Sequence, residues 1–205
     1  MMNIEAEVAR RLLEIKAIKL SPNDPFTWAS GIKSPIYCDN RKSLSYPEVR
    51  KFIKKCLVEK SKEFGTFDTV SGVATAGIPQ GALLADALEQ PFIYVRSKAK
   101  GHGLQNMIEG EAKEGAAVLV VEDLISTGGS SIKAVNALRD AGLKVVGVIA
   151  IFTYGFAKAT ENFANADCQL LTLSNFDALL DEAVSGEFIT EAEMETVNTW
   201  RREFL

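Results

Sequence analysis

Apolar residues along the chain follow two patterns that take turns from start to end. Continuous apolar runs, typical of strands buried on both faces of a parallel sheet, occur at 116–121 and 145–152. Apolar residues at helical spacing, separated by charged residues, occur at 4–20 and 132–141. This alternation predicts an α/β fold in which a doubly wound, mostly parallel sheet is flanked by helices.

Weaker signals fill in the remaining elements. The first helix is expected to end near residues 18–20, and two short strands at 26–28 and 36–38 are expected to form a small, hairpin-like N-terminal hood. Further helices are predicted at 78–88 and 157–163, and further strands at 67–71, 92–96 and, at the sheet edge, 168–173.

Capping residues predict where three of the helices begin. Residues 45–48 have the spacing of a capping box, ahead of a helix to about residue 63. Ser174 is expected to cap a helix that runs to about residue 183. Thr190 with Glu193 forms another capping box, which should open a C-terminal helix.

The size of the chain suits one well-buried domain. The chain has 205 residues, of which 47% are hydrophobic and 24% are charged. We expect a single domain over 1–205, with the N-terminal helix and hood at 1–45, the α/β core at 46–173 and the C-terminal helices at 174–205.

Charge and cysteine content narrow the possible function classes. The formal net charge is −4, so the chain lacks the basic footprint of a nucleic-acid-binding protein. No apolar run approaches membrane length, and the N-terminus lacks the apolar segment of a signal peptide. The cysteines, Cys38, Cys56 and Cys168, form no CxxC pair and no zinc spacing. These features indicate a cytoplasmic protein without a nucleic-acid or membrane partner.

The most informative stretch follows the apolar run 116–121. Glu122 and Asp123 come first, and a turn of small hydroxyl and glycine residues, 124–131, leads into the next helix. Such a turn directs backbone N–H groups towards one point at the positive end of a helix, which suits a phosphate. Carboxylates repel phosphate, so they need sugar hydroxyls or a divalent cation as partners. A ribose phosphate meets these requirements, and the alternative is an ordinary strand-to-helix turn with a capping serine.

A second candidate site is the loop after the strand predicted at 92–96. Arg96, Lys98, Lys100 and His102 alternate along it, so in an extended chain they project to one side. Several cations on one ribbon suit a polyanion such as pyrophosphate, whose charge they would stabilise as it leaves. The alternative is a solvated surface loop.

Residues 120–131 resemble the PRPP-binding motif of the type I phosphoribosyltransferases. In that family the acidic pair holds the hydroxyls of PRPP (5-phosphoribosyl 1-diphosphate), and the turn holds its 5′-phosphate. The resemblance therefore implies the type I phosphoribosyltransferase fold. It also implies that PRPP is bound by the following residues: Arg96, Lys100, His102, Glu122, Asp123, Leu124, Ile125, Ser126, Thr127, Gly128, Gly129 and Ser130.

Three further blocks narrow the resemblance to the orotate phosphoribosyltransferases. Residues 96–103 resemble their catalytic loop, 26–39 their hood over the pyrimidine, and 72–79 their turn on the pyrophosphate side. With the PRPP motif, the four blocks occur in order over 26–131. Many family members have a lysine at the position of Ala29, and some have an arginine that helps to bind orotate at the position of Tyr154.

The resemblance implies a reaction and a set of roles. The 5-phosphoribosyl group of PRPP would pass to orotate, giving orotidine 5′-monophosphate and pyrophosphate in de novo pyrimidine biosynthesis, with Mg²⁺ held mainly through PRPP and not by direct protein ligands. Asp123, Lys100 and His102 would be catalytic. The residues implied for orotate binding are Ser126, Tyr37 and Cys38.

The family likeness also implies a homodimer in which the catalytic loop reaches into the neighbouring subunit. Two alternatives remain open at this point. One is a phosphoribosyltransferase for another base, and the other is a non-catalytic regulator that senses PRPP. Such regulators usually carry a DNA-binding domain, and the segment of about 25 residues before the hood is too short for one.

Overall fold

A computed structural model describes residues 3–28, 31–98 and 107–204 of the chain. Two short 3₁₀ helices lie at Asn40–Ser45 and Lys62–Phe64. The α-helices are α1 Ile4–Glu14, α2 Pro47–Ser61, α3 Gly77–Leu88, α4 Gly129–Asp140, α5 Ala157–Asn165, α6 Phe176–Ser185 and α7 Glu191–Glu203. The strands are β1 Ile18–Leu20, β2 Phe26–Thr27, β3 Lys33–Ser34, β4 Ile36–Cys38, β5 Thr69–Val73, β6 Phe92–Val95, β7 Ile108–Glu109, β8 Ala117–Ile125, β9 Lys144–Thr153 and β10 Leu170–Asn175.

The central sheet has six strands in the order β10–β9–β8–β5–β6–β7. All neighbouring pairs are parallel except β6 with β7, which is antiparallel. The predicted doubly wound, mostly parallel sheet flanked by helices is therefore confirmed. The predicted edge position of the last strand is confirmed as well, since β10 lies at one end of the order.

Both faces of the sheet are buried, which explains the continuous apolar run in β8. Leu119 and Val121 belong to the core that also contains residues of α1, α2 and α6, whereas Val118 and Val120 face the core beneath α4 and α5. Side chains alternate between the faces along a strand, so every second residue joins the same core. Within the described ranges, no helix is long and apolar enough to cross a membrane.

The first helix is shorter than the sequence predicted. It ends at Glu14, and Lys16 adopts a left-handed backbone conformation with φ of 55°. A left-handed residue cannot continue a right-handed helix, so the chain turns there. Residues 18–20 then form β1 instead of the end of the helix, and β1 pairs antiparallel with β4.

The hood consists of two separate ladders, not the single predicted hairpin. β2 pairs with β3, in the register Phe26 with Ser34, while β4 pairs with β1, in the register Cys38 with Ile18. The strands at 26–28 and 36–38 were therefore expected in about the right places but with the wrong partners. The pairing of β1 with β4 fastens the hood to the chain just after α1.

One of the predicted capping boxes is confirmed and the other is wrong. The N–H of Thr190 donates to Glu193 Oε2 at 2.9 Å, and the N–H of Glu193 donates to Thr190 Oγ1 at 3.3 Å. By contrast, Ser45 ends a 3₁₀ helix, and α2 starts after Tyr46 without a side-chain cap. A proline in the first turn of α2 lacks an N–H, which reduces the need for a cap there.

The prediction that Ser174 caps α6 is also wrong. Asn175 takes that position, and its Oδ1 accepts from the N–H of Ala178 at 3.0 Å. Ser174 is fully buried instead, and its hydroxyl donates to the carbonyl of Glu5 at 2.8 Å. The serine therefore joins the last strand of the sheet to the first helix of the chain.

Candidate active site

The candidate site lies at the carboxyl edge of the sheet. β8, β5 and β6 are adjacent and parallel, so the turns that follow them open onto the same crevice. Lys133 joins α4, the helix after β8, to the loop after β6, since its Nζ donates to the carbonyl of Ser97 at 3.0 Å. The three turns that the sequence singled out are therefore brought together.

The acidic pair lies within β8 and not in the turn after it. The predicted strand stopped at residue 121, but β8 continues to Ile125, with Glu122 opposite Ala150 of β9. Successive side chains of a strand point to opposite faces, so Glu122 and Asp123 have different surroundings although they are adjacent. Glu122 is 6% exposed, and its Oε1 accepts from the N–H of Asp123 at 2.9 Å.

Burial controls the protonation of this pair. Desolvation raises the pKa of Glu122 to about 9, and the neighbouring Asp123 adds to the rise. Burial also raises the pKa of Asp123, while its hydrogen bond with Glu122 and the positive charge of Arg41 oppose that rise. The pair therefore holds a proton at neutral pH and favours a ligand with hydroxyl donors or positive charge.

Residues just after β4 hold the acidic pair in place. Asn40 is fully buried, and its Nδ2 donates to the carbonyl of Asp123 at 2.7 Å. The Sγ of Cys38 donates to Asn40 Oδ1 at 3.3 Å, so one amide joins the hood to β8. Sequence reasoning missed Asn40, because the contact spans 83 positions and no local motif marks it.

The turn after β8 forms the start of α4. Gly128 is the N-cap of α4 and has φ of 78°, a conformation that favours glycine. The first N–H groups of a helix have no partner within it, so those at 129–131 are available to an anion. The turn also contains Ser126, Thr127 and Ser130, as the resemblance requires. Ile125 differs from the other residues implied for PRPP binding. Its side chain is buried in the core, so only its backbone could contact a ligand.

An aromatic cavity of about 270 Å³ lies beside the acidic pair. It brings together all three residues expected to contact orotate. Burial raises the pKa values of the Cys38 thiol and the Tyr154 hydroxyl, so both groups stay neutral at physiological pH. The lining residues are Trp28, Tyr37, Cys38, Leu124, Ser126 and Tyr154.

The C-terminal helix supports this cavity from behind. The ring centroid of Trp200 lies 5.8 Å from that of Trp28, and the ring of Phe204 lies 5.7 Å from that of Trp28. Trp200 Nε1 also donates to the carbonyl of Lys33 in the hood at 3.0 Å. The sequence predicts that the C-terminal helices cover the crevice from the side, but not these contacts, because they join opposite ends of the chain.

The cationic loop lies partly within the described residues. Arg96 Nη1 forms an ion pair with Glu109 Oε1 at 3.3 Å, and Lys98 is exposed. Lys100 and His102, the two catalytic candidates in this loop, lie outside the described residues. Ala29 also lies outside them.

No cluster of three or more histidine, cysteine, aspartate or glutamate side chains suited to a metal ion occurs in the described part of the chain. The acidic pair supplies two carboxylates that are adjacent in sequence. Mg²⁺ usually keeps several waters and binds through one or two carboxylates together with substrate phosphates. The pair fits that pattern if a phosphate-bearing ligand supplies the remaining oxygens.

Comparisons with known proteins agree with this geometry. Residues 42–176 match the model of the phosphoribosyl transferase domain family. The orotate phosphoribosyltransferase of Listeria monocytogenes is 56% identical over 202 residues, covering 98% of this chain and 97% of that protein. The orotate phosphoribosyltransferase of Bacteroides thetaiotaomicron is 56% identical over 207 residues, covering 99% of this chain and 96% of that protein. The crystal structure of orotate phosphoribosyltransferase from Aeropyrum pernix superposes with a TM-score of 0.77 at 30% identity, covering 87% of this chain and 99% of that one.

Proposed function

The chain belongs to the phosphoribosyltransferase family, in its orotate branch, and we propose that the crevice at the carboxyl edge of the sheet is where it works. The enzyme transfers the 5-phosphoribosyl group from PRPP to orotate and releases orotidine 5′-monophosphate and pyrophosphate, a step of pyrimidine biosynthesis. One observation carries the assignment of the site. The last residues of β8 supply the acidic pair and one side chain of the aromatic cavity, Leu124. The phosphate turn follows directly, and its Ser126 also lines the cavity.

The acidic pair and the turn would hold the ribose 5-phosphate part of PRPP. Glu122 and Asp123 would accept hydrogen bonds from the ribose hydroxyls, and Asp123 would also stabilise positive charge at C1. The backbone and hydroxyl groups of residues 124–130 would bind the 5′-phosphate. This assignment is supported by the burial of Glu122 beside the half-buried Asp123 and by the N–H groups that start α4.

The base would occupy the aromatic cavity. Ser126 lies where the cavity meets the phosphate turn, so its hydroxyl can reach a base attached at C1. Tyr37 and Cys38 would read the pyrimidine from the hood side. Because the lining groups are neutral, they orient the ring through packing and hydrogen bonds.

Displacement at C1 would pass through a state in which the ribose ring carries positive charge and pyrophosphate gains negative charge. Arg96, Lys100 and His102 would stabilise the departing pyrophosphate, which lowers the barrier because that charge develops in the transition state. Magnesium, held mainly through PRPP oxygens, would neutralise further pyrophosphate charge. The carboxylates at Glu122 and Asp123 would keep the ribose fixed while the bond to pyrophosphate breaks.

Several broader features of the enzyme belong to the same proposal. Residues 1–205 would form one domain, with the N-terminal helix and hood at 1–45, the α/β core at 46–173 and the C-terminal helices at 174–205. The enzyme would be a cytoplasmic homodimer whose catalytic loop reaches the neighbouring subunit, with no nucleic-acid or membrane partner. The three free cysteines support the reducing compartment.

The test is to follow the loss of orotate absorbance with PRPP and Mg²⁺, with uracil, hypoxanthine and adenine as parallel substrates. We expect turnover with orotate and with none of the other three bases. EDTA should abolish this turnover, and added Mg²⁺ should restore it. Turnover with another base would reassign the substrate. Tight PRPP binding without turnover of any base would favour a regulator, and activity that survives EDTA would remove Mg²⁺ from the proposal.

A further inference from the structure

Helix α5 contacts the phosphate turn through two successive residues. Asn162 Nδ2 donates to the carbonyl of Thr127 at 2.8 Å, across 35 positions of sequence. The ring of Phe163 lies under the next residue of the turn, since a Cβ at Gly128 would come within 2.7 Å of Phe163 Cε2. The turn therefore rests on α5 at a hydrogen bond and at a packed ring.

Three carbonyl groups in and beside the turn, those of Ile125, Thr127 and Gly128, accept hydrogen bonds from protein donors. The carbonyl of Ile125 accepts from the N–H of Tyr154 at 3.1 Å, and the carbonyl of Gly128 accepts from the N–H of Ile132 at 2.9 Å. Of these carbonyls, the one at Thr127 depends on a side chain for its donor, because Asn162 supplies it. An anion site needs N–H groups pointing inwards, and this requires that the carbonyl groups point away.

The peptide between Thr127 and Gly128 is the part of the turn most open to reorientation. A peptide plane can rotate when the residue after it tolerates positive φ, and Gly128 has φ of 78° already. Rotation would turn the Thr127 carbonyl oxygen towards the phosphate and carry its neighbouring N–H away. The hydrogen bond from Asn162 opposes that rotation.

We propose that Asn162 is a positioning residue that locks the Thr127–Gly128 peptide in its phosphate-binding orientation. The inference rests on the proposed function, because it takes the turn as the site of the PRPP 5′-phosphate. Asn162 does not touch substrate in this role. It acts by keeping the carbonyl of Thr127 on the α5 side of the turn.

The test compares Asn162→Leu with Asn165→Ala. Leucine has a similar branched shape and is the better helix former, so the variant removes the amide donor without weakening α5. Asn165 lies three residues further along α5 and is exposed, so its replacement controls for changes to the helix itself. Steady-state kinetics would be measured with each substrate varied, together with inhibition by inorganic phosphate and the thermal midpoint.

We expect Asn162→Leu to raise the KM for PRPP by about 5- to 10-fold, since a net hydrogen bond corresponds to roughly this factor. The inhibition constant of inorganic phosphate should rise in parallel. The kcat and the KM for orotate should change less than about two-fold, because the phosphate contact is equal in the ground and transition states. Asn165→Ala should leave all these constants unchanged.

Ser130→Ala separates the two levels of the proposal. If Ser130→Ala raises the KM for PRPP and Asn162→Leu does not, the positioning role is wrong and the phosphate site stands. If neither variant changes the KM for PRPP or phosphate inhibition, the turn does not hold the phosphate and both proposals fail. Equal losses for both substrates with a lower thermal midpoint would reduce Asn162 to a structural residue and overturn the inference.

Discussion

The ribose-phosphate half of the crevice comes from one continuous stretch, 122–130, whereas the base half is assembled from residues between Trp28 and Trp200. The two halves also differ in support. The stretch 122–130 lies at the centre of the sheet, between neighbouring strands and the start of α4. The base cavity is held by a two-ladder hood and by a C-terminal helix that packs against it.

The two halves differ in electrostatics as well. The ribose-phosphate half contains a buried and a half-buried carboxylate, Glu122 and Asp123, and desolvation raises the pKa values of both. The base half is lined by neutral groups, since burial keeps the thiol of Cys38 and the hydroxyl of Tyr154 protonated. The difference teaches that, under the proposed function, one half would recognise its ligand through carboxylates and backbone donors, and the other through shape and aromatic contact.

The largest expected effect is the loss of one carboxylate from the ribose-phosphate half. Asp123→Asn should lower kcat/KM for PRPP by about 100-fold, because hydrogen bonds to a charged group are worth roughly 1.5–3 kcal/mol each. The measurement is initial rate against PRPP concentration. Asp140→Asn, at the exposed end of α4, is the matched control and should be silent. If Asp123→Asn changed only the KM for orotate, the assignment of Asp123 to the ribose-phosphate half would be wrong.

The next effect is the pH dependence of stability. The pKa of Glu122 is about 9 in the folded protein against its ordinary value of 4.5, so between these values the folded chain holds the extra proton. The free energy of unfolding should therefore fall as pH rises through this window, by up to about 1.4 kcal/mol per pH unit.

Denaturant unfolding of Glu122→Gln at several pH values checks this expectation. The amide cannot ionise, so its slope with pH should be flatter than that of the native enzyme across the window. Glu114→Gln, at an exposed position, should keep the native slope. A steep slope that persists in Glu122→Gln would place the titrating group elsewhere.

A smaller effect is expected when alanine replaces glycine in the turn. Comparing two glycines distinguishes the cost of a side-chain clash from the cost of backbone strain. Gly128 and Gly142 have similar φ values of 78° and 81°, but a Cβ at Gly142 would meet nothing within 4 Å. Alanine should cost about 1 kcal/mol of unfolding free energy at either position through φ alone. Gly128→Ala should lose roughly 1 kcal/mol more through its clash with Phe163, and its KM for PRPP should rise.

The pair of glycine variants would be compared by chemical denaturation and by kinetics with PRPP varied. Gly142→Ala is the control, because it carries the same strain away from the site. Equal stability losses with unchanged kinetics would mean that Phe163 moves aside easily. In that case the turn would not depend on its packing against α5.

The smallest expected effect concerns the base half. Trp200→Leu should raise the KM for orotate by roughly 10-fold, because the hydrogen bond and the aromatic contacts that it removes are together worth about 1–2 kcal/mol. The KM for PRPP should stay within about two-fold of native. Trp200→Phe keeps a ring against Trp28, so its KM for orotate should lie between that of the native enzyme and that of Trp200→Leu. A rise in the KM for PRPP of equal size would show that α7 serves the whole crevice.

The contrast between a continuous stretch and an assembled cavity also explains which site residues could be predicted from the sequence. The acidic pair and the turn were found because their residues are adjacent, so a local motif contains the whole set. Asn40 and Asn162 were missed because each binds β8 or its turn from a distant segment. The cavity residues Tyr37 and Cys38 were found through family likeness and not through their own pattern.

Errors in the fold have local causes. The sequence predicts too long a first helix, because the apolar spacing continues past Lys16. A lysine gives no signal that its backbone is left-handed. Ser174 was taken as a cap because its residue type suits one, yet Asn175 beside it competes equally well. The α-helices and the longer strands were predictable from their hydrophobic periods, whereas the two- and three-residue strands β1, β3 and β7 are too short to show one.

The hydrogen bond between Trp200 and Lys33 has a consequence for the folding of the chain during synthesis. Ribosomes release a polypeptide from its N-terminus onwards at about 5–20 residues per second, and domains begin to fold as they appear. The phosphate turn and its support in α5 emerge before α7 does. The support that α7 gives to the proposed base cavity is therefore the last part of the site that synthesis supplies.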